Sequence, residues 1–155
     1  MEHYDYLHDV NVKAIIKLNQ LVEPHLEKTK GNIVNVSSVC SIMPINVSVM
    51  MYYSMAKAAL DHYTRSRTEI LAKKGIRINS VNPGLVKTNI FAASGTTAEQ
   101  EKQYFDSFST GIPMGRAGRA EEIANVIAFL GSDDASYVTG VALVADGGLL
   151  QRVYA

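Results

Sequence analysis

Near the start of the chain apolar residues return at helical spacing: Val10, Ile15, Leu18, Leu21, Val22 and Leu26 share one face and predict a helix over about residues 7–28. Gly31 lies just after its lysine-rich end. Ile33, Val34 and Val36 form a β-branched run too short for a helix and apolar enough for a strand covered on both faces, and the run stops at Ser37-Ser38. After a loop containing Pro44, residues 51–74 are rich in Ala, Leu, Lys and Glu and close at Gly75, which predicts a second helix. A second strand is predicted over residues 76–81, broken at Pro83-Gly84. From Thr88 to Met114 the chain holds Gly95, Gly111, Pro113 and many Ser and Thr, the pattern of a flap, with a short amphipathic helix over residues 98–108. A helix over residues 120–130 and a strand over 141–144, ending at Asp146-Gly147-Gly148, complete the series.

Alternation of this kind predicts an α/β fold, a parallel sheet with helices on its faces. In open sheets of that class ligands bind beyond the carboxyl ends of the strands. Ser37-Ser38 and Asn82-Pro83-Gly84 occupy that place.

The length of 155 residues, 47% hydrophobic and 19% charged, fits one globular domain spanning residues 1–155. Lys plus Arg and Asp plus Glu both total 15, so no long-range field favours nucleic acid or an anionic membrane surface. Cys40 is the single cysteine, and no His or Cys cluster has metal-ligand spacing, so neither a disulfide nor a structural metal is expected. The N-terminal residues lack the order of a signal peptide and no apolar run is long enough to span a membrane, so the expectation is a cytoplasmic protein.

Tyr53 and Lys57 stand four positions apart, on one face of the second helix. A phenol that gives and takes a proton near neutrality needs its anion stabilised by about 4 kcal/mol, and a nearby ammonium supplies stabilisation of that sign. The spacing alone is common on amphipathic helices. It gains weight from its company: Gly31-Asn32-Ile33-Val34-Asn35-Val36-Ser37-Ser38 before it, Ile76-Arg77-Ile78-Asn79-Ser80-Val81-Asn82-Pro83-Gly84 after it, then Ile112-Pro113-Met114-Gly115-Arg116, Glu121-Glu122-Ile123-Ala124, and the stretch from Tyr137-Val138-Thr139-Gly140 to Asp146-Gly147-Gly148.

In this order and over nearly its whole length, the sequence resembles the C-terminal part of the short-chain dehydrogenase/reductase family. The resemblance implies an oxidoreductase that moves hydride between NAD or NADP and a secondary alcohol or ketone. Tyr53 would be the general acid in reduction and the base in oxidation, and Lys57 would lower the tyrosine pKa and hold the nicotinamide ribose. Ser38 would orient the substrate oxygen, and Asn11 would position a water leading to the lysine. Pro83-Gly84, Val86 and Thr88 would hold the nicotinamide amide. The loop from Ser38 to Tyr53 is longer than the family's usual spacing, which leaves Ser37 and Ser41 as alternatives for the serine. A homo-oligomer, dimer or tetramer, is also implied, with the helices around residues 12–26 and 58–71 at the contact.

One family element does not occur: a glycine-rich turn between a first strand and first helix, where backbone amides meet a pyrophosphate. The expected fold is therefore the second half of a Rossmann-type doubly wound sheet with its N-terminal glycine-rich half absent. The chain reads as part of a longer enzyme, and by itself it is expected to be poorly stable and nearly inactive, because a free strand edge and an apolar surface would be exposed. The alternative is a non-enzymatic remnant that pairs with complete relatives. A Ser-Lys hydrolase is weaker, since Ser38 lacks the elbow glycines of G-x-S-x-G.

Overall fold

The computed structural model describes residues 1–44, 48–89 and 95–151. Its first helix starts earlier than the apolar spacing predicts. Helix α1 (Glu2–His8), a π-helical turn (Asp9–Lys13) and α2 (Ala14–Thr29) run on without a break. The wider turn has a visible local cause. The Asn11 side-chain amide donates to the Leu7 carbonyl at 3.0 Å, taking the acceptor that an α-turn would pair with Asn11's own N–H. Lys30, not Gly31, adopts the left-handed cap, with φ 53°, and Gly31 N–H returns to the Leu26 carbonyl at 3.0 Å.

Three parallel strands follow in the spatial order β1 (Asn32–Val36), β2 (Arg77–Pro83), β5 (Ala142–Ala145). The register runs Asn32 opposite Arg77 to Val36 opposite Val81, then Ser80 opposite Ala142 to Pro83 opposite Ala145. Helix α3 (Ser48–Ala72) links β1 to β2. A two-residue parallel ribbon pairs β3 (Val86–Lys87) with β4 (Gly118–Arg119), with helix α4 (Ala98–Ser109) between them in sequence and α5 (Ala120–Gly131) directly after.

Ile33, Leu71, Ile76 and Ile78 form a buried cluster, with Leu26 and Tyr63 packed on it. Each such side chain stabilises the fold by about 1.5–3 kcal/mol on burial. The central strand β2 is buried from Ile78 to Asn82 although it carries Asn79, Ser80 and Asn82. Their polar groups are satisfied: Asn79 donates to the Val138 carbonyl at 2.9 Å and accepts from the Val141 N–H at 3.2 Å. A second polar chain, Asn19 to Asn35 to Thr64, ties α2, β1 and α3 together.

The expectation that β1 is covered on both faces fails. Val36 is 46% exposed, and β1 is an edge strand. Ile15, Leu18, Val22 and Leu26 of α2 and Ile33, Val34 and Val36 of β1 line an open apolar groove of about 490 Å³. Inside the predicted flap, α4 forms where expected. Thr97 caps it, accepting from Gln100 N–H at 3.2 Å while the Gln100 side chain accepts from Thr97 N–H at 2.9 Å, and Phe105 and Ile112 are buried. Residues 90–94 of that flap lie outside the described residues. Among the described residues no helix is long and apolar enough to cross a membrane, and no group of three or more His, Cys, Asp or Glu could hold a metal ion.

Candidate active site

The carboxyl ends of β1 and β2 lie side by side, and the polar residues that follow them converge with the middle of α3. Ser38 follows β1 in extended backbone (φ −164°, ψ 155°) and caps a 3-10 turn, Val39–Ser41, by accepting the Cys40 N–H on Oγ at 3.1 Å. That bond occupies a lone pair and leaves the hydroxyl proton free to be donated. The Ser38 side chain lies beside the Tyr53 phenol and favours its anion. One turn on, the buried Lys57 ammonium donates to the Val36 carbonyl at 3.0 Å and stands 5.5 Å from the centre of the Tyr53 ring.

The two alternative serines face elsewhere. Ser37 Oγ donates to the Lys57 carbonyl at 3.3 Å, and Ser41 Oγ approaches Asp61 Oδ2 at 2.5 Å. Of the three, Ser38 is the one whose side chain acts on the Tyr53 phenol. Asn11 lies in the π-turn, which packs against α3, and one of its amide hydrogens goes to the Leu7 carbonyl. Pro83 and Gly84 close β2, where Gly84 N–H donates to the Ala145 carbonyl at 3.0 Å. Val86 pairs with Gly118 in the small ribbon. Thr88 is exposed and lines a cleft of about 520 Å³ with Lys87, Asn89, Arg119, Ala120 and Glu121.

The electrostatics depart from expectation. Burial pushes the Tyr53 phenol above its ordinary value, against the lowering influence of the Ser38 hydrogen bond. Burial also pushes the Lys57 ammonium down, against the attraction of Asp61. The Lys57 ammonium donates to the Val36 carbonyl, and burial rather than the lysine governs the Tyr53 phenol.

Tyr52 turns the other way, meeting Tyr4 edge-on at 5.4 Å, so it packs α1 onto α3. The His8 ring lies 3.9 Å from that of Tyr4 and its Nδ1 is 3.1 Å from the Tyr4 carbonyl. Sequence reasoning gave no role to Asp61 or Ser80 and noted Asn82 only for its place at the end of the second strand, and all three lie buried beneath the site. The spacing Lys57-x-x-x-Asp61 and the polar residues inside an apolar strand were the available signals.

Residues 1–150 match the protein-family model described as enoyl-(acyl carrier protein) reductase. A crystal structure of a short-chain dehydrogenase/reductase of unknown function from Caenorhabditis elegans, with cofactor, superposes with a TM-score of 0.89 at 42% identity, covering 97% of this chain and 56% of that one. The chain belongs to the short-chain dehydrogenase/reductase family. Among curated members of the family, a 3-oxoacyl-(acyl-carrier-protein) reductase of Thermotoga maritima is 37% identical over 150 residues, 96% of this chain and 58% of that protein. A meso-2,3-butanediol dehydrogenase of Serratia marcescens is 40% identical over 139 residues, 90% of this chain and 52% of that protein. The chain thus spans a little over half the length of these family members, and the α/β fold with a parallel sheet is theirs.

Proposed function

We propose that this chain carries the catalytic residues of an oxidoreductase that interconverts a secondary alcohol and a ketone, with NAD or NADP as cofactor. The observation that carries this reading is the convergence of Ser38, Tyr53 and Lys57 at the carboxyl ends of β1 and β2. When bound, the nicotinamide would supply or receive the hydride. As the family resemblance implies, Lys57 would hold the ribose of its reactive end, and Pro83, Gly84, Val86 and Thr88 would hold its amide. The residues present do not include the glycine-rich turn that would meet its phosphates.

In reduction Tyr53 gives its phenolic proton to the carbonyl oxygen as that oxygen gains charge, and in oxidation the transfer reverses. A phenol raised by burial holds its proton until the developing alkoxide demands it. Ser38 donates the hydroxyl proton that Cys40 N–H leaves free, fixing the substrate oxygen beside the phenol. Lys57 keeps a positive charge near the phenolate that remains, and the Val36 carbonyl holds it in place. Asn11 acts further back, through the π-turn against α3.

We also infer a homo-oligomer using α2 and α3, because Leu18, Leu21, Met51, Met55 and Ile70 are exposed on them. The second reading, a non-enzymatic partner of complete relatives, is favoured by the open groove between α2 and β1. Isotope transfer tests the first. In the complete natural protein, cofactor reduced with deuterium is expected to leave the label on the carbinol carbon of the product alcohol. Product formed without label there, or no product from any ketone offered, would remove the hydride-transfer reading.

A further inference from the structure

Beneath the site lies a polar cluster that the mechanism above does not use. Asp61 stands one helical turn beyond Lys57 on α3 and is 3% exposed. Among the described residues its carboxylate forms no ion pair. It is held by neutral donors from two other segments. Ser80 Oγ donates to Oδ1 at 2.9 Å, from the middle of β2. Oδ2 receives Asn82 Nδ2 at 2.6 Å, from the end of β2, and Ser41 Oγ at 2.5 Å, from the turn after β1.

The same partners reach Ser38. Asn82 Nδ2 lies 3.1 Å from the Ser38 carbonyl and 2.8 Å from Ser41 Oγ, and Ser41 Oγ lies 2.7 Å from that carbonyl. Ser38 is thus gripped at its carbonyl by the Asn82 amide that Asp61 also holds, and at its hydroxyl by the Cys40 N–H, while Ser41, in the same turn, gives its one proton to the carboxylate. A buried carboxylate without a paired cation is costly, and neutral residues of similar volume pack there more cheaply. What the charge provides is hydrogen bonds of the stronger, charge-assisted kind to hydroxyl and amide groups that rotate freely unless held.

We propose that Asp61 is a positioning residue for the reaction: by tying the turn after β1 to the end of β2, it fixes where the Ser38 hydroxyl stands against Tyr53. The inference rests on the hydride-transfer reading for its kinetic consequence but not for its structural one. The link runs Asp61 to Ser41 and Asn82, then to Ser38, then to Tyr53. Loss of the carboxylate lets the Ser38 turn drift. The hydroxyl then no longer meets the phenol or the substrate oxygen, while groups that hold a cofactor stay in place.

The test compares Ser38→Ala, Asp61→Ala and the double variant in the complete natural protein. Asp61→Ala is expected to lower kcat about tenfold with the KM for cofactor unchanged, and to lower it by less than about twofold when Ser38 is already alanine, since both act through one hydroxyl. A second readout needs no turnover: the phenol of Tyr53, followed by ultraviolet difference against the same protein carrying Tyr53→Phe. Its titration is expected to move upward in Asp61→Ala as in Ser38→Ala, because both lose the hydrogen bond that lowers it. If the two kcat losses multiply, or if Tyr53 titrates unmoved in folded Asp61→Ala, the proposal is overturned. Should Asp61→Ala fail to fold, Ser41→Ala carries the same comparison with a smaller expected loss, since the carboxylate keeps Ser80 and Asn82. A wild-type protein that transfers no hydride would end the enzymatic reading, and the phenol titration would still decide the role of Asp61.

Discussion

At Gly84 a methyl group would stand 2.7 Å from Asp146 Cβ and 2.8 Å from Asp146 Cα. One of those atoms is backbone, so the ends of β2 and β5 would have to part. Gly84→Ala is therefore expected to cost about 1–3 kcal/mol of stability, read from denaturant unfolding of the complete protein. An unchanged midpoint would mean that the two strand ends have slack that the close approach denies. Tyr53 and Lys57 show the opposite economy, since burial works against the charged form of each. The folded-state value of Lys57 lies below its unfolded one, so within that window the unfolded chain binds more protons and stability rises with pH. Below the window the buried ammonium is a burden on the fold, as functional groups often are.

At the scale of the element, α5 shows how charge sets a helix start. Glu122 accepts the Arg119 N–H at 2.8 Å and makes a two-pronged pair with Arg116 at 2.8 and 2.7 Å. The Arg116 bond foremost, then the Arg119 N–H, holds its carboxyl down at about 2. A depressed carboxyl contributes stability that is present above the ordinary carboxylate range and is lost as pH falls through that range toward about 2. The melting-temperature advantage of wild type over Glu122→Gln should shrink from about pH 6 to about pH 3. A constant gap would assign the effect of the substitution to something other than this charge. Elements such as α3, α4 and α5 were legible because each presents an apolar stripe and a capping or closing residue within its own span. The π-turn was not, since one side chain, Asn11, takes one carbonyl and shifts the helix register. Nor was the β3–β4 ribbon, whose strands are two residues each and far apart in sequence. That Ser38, Tyr53 and Lys57 come together was legible from motif spacing, because β1's end and α3 each carry their part of it within one short run. Asp61 was hidden because its partners come from β1's turn and from β2, and nothing local marks a strand's Ser80 or Asn82 as belonging to a helix carboxylate.

The whole molecule has a well-buried centre and an open flank. β2 is covered on both sides by its neighbours, whereas the outer edge of β1 has no strand partner among the described residues and the groove beside it is apolar. Exposed edges and apolar grooves of this kind favour association. If α2 and α3 form a two-fold contact, one charge placed in it is repeated in both partners. Ala59→Glu in the complete protein is expected to give a monomer by light scattering with a lowered melting temperature, and an unchanged oligomer would exclude that helix face. The central claim is that α3 brings a proton-transferring phenol to a hydride-transfer site built at the carboxyl ends of β1 and β2. Its most direct test is the rate at which the reduced cofactor's absorbance falls with a ketone, in the complete natural protein and in its Tyr53→Phe variant. The account predicts a loss of about 10²–10⁴ in rate with the fold intact, and a rate within a few-fold of wild type would contradict it.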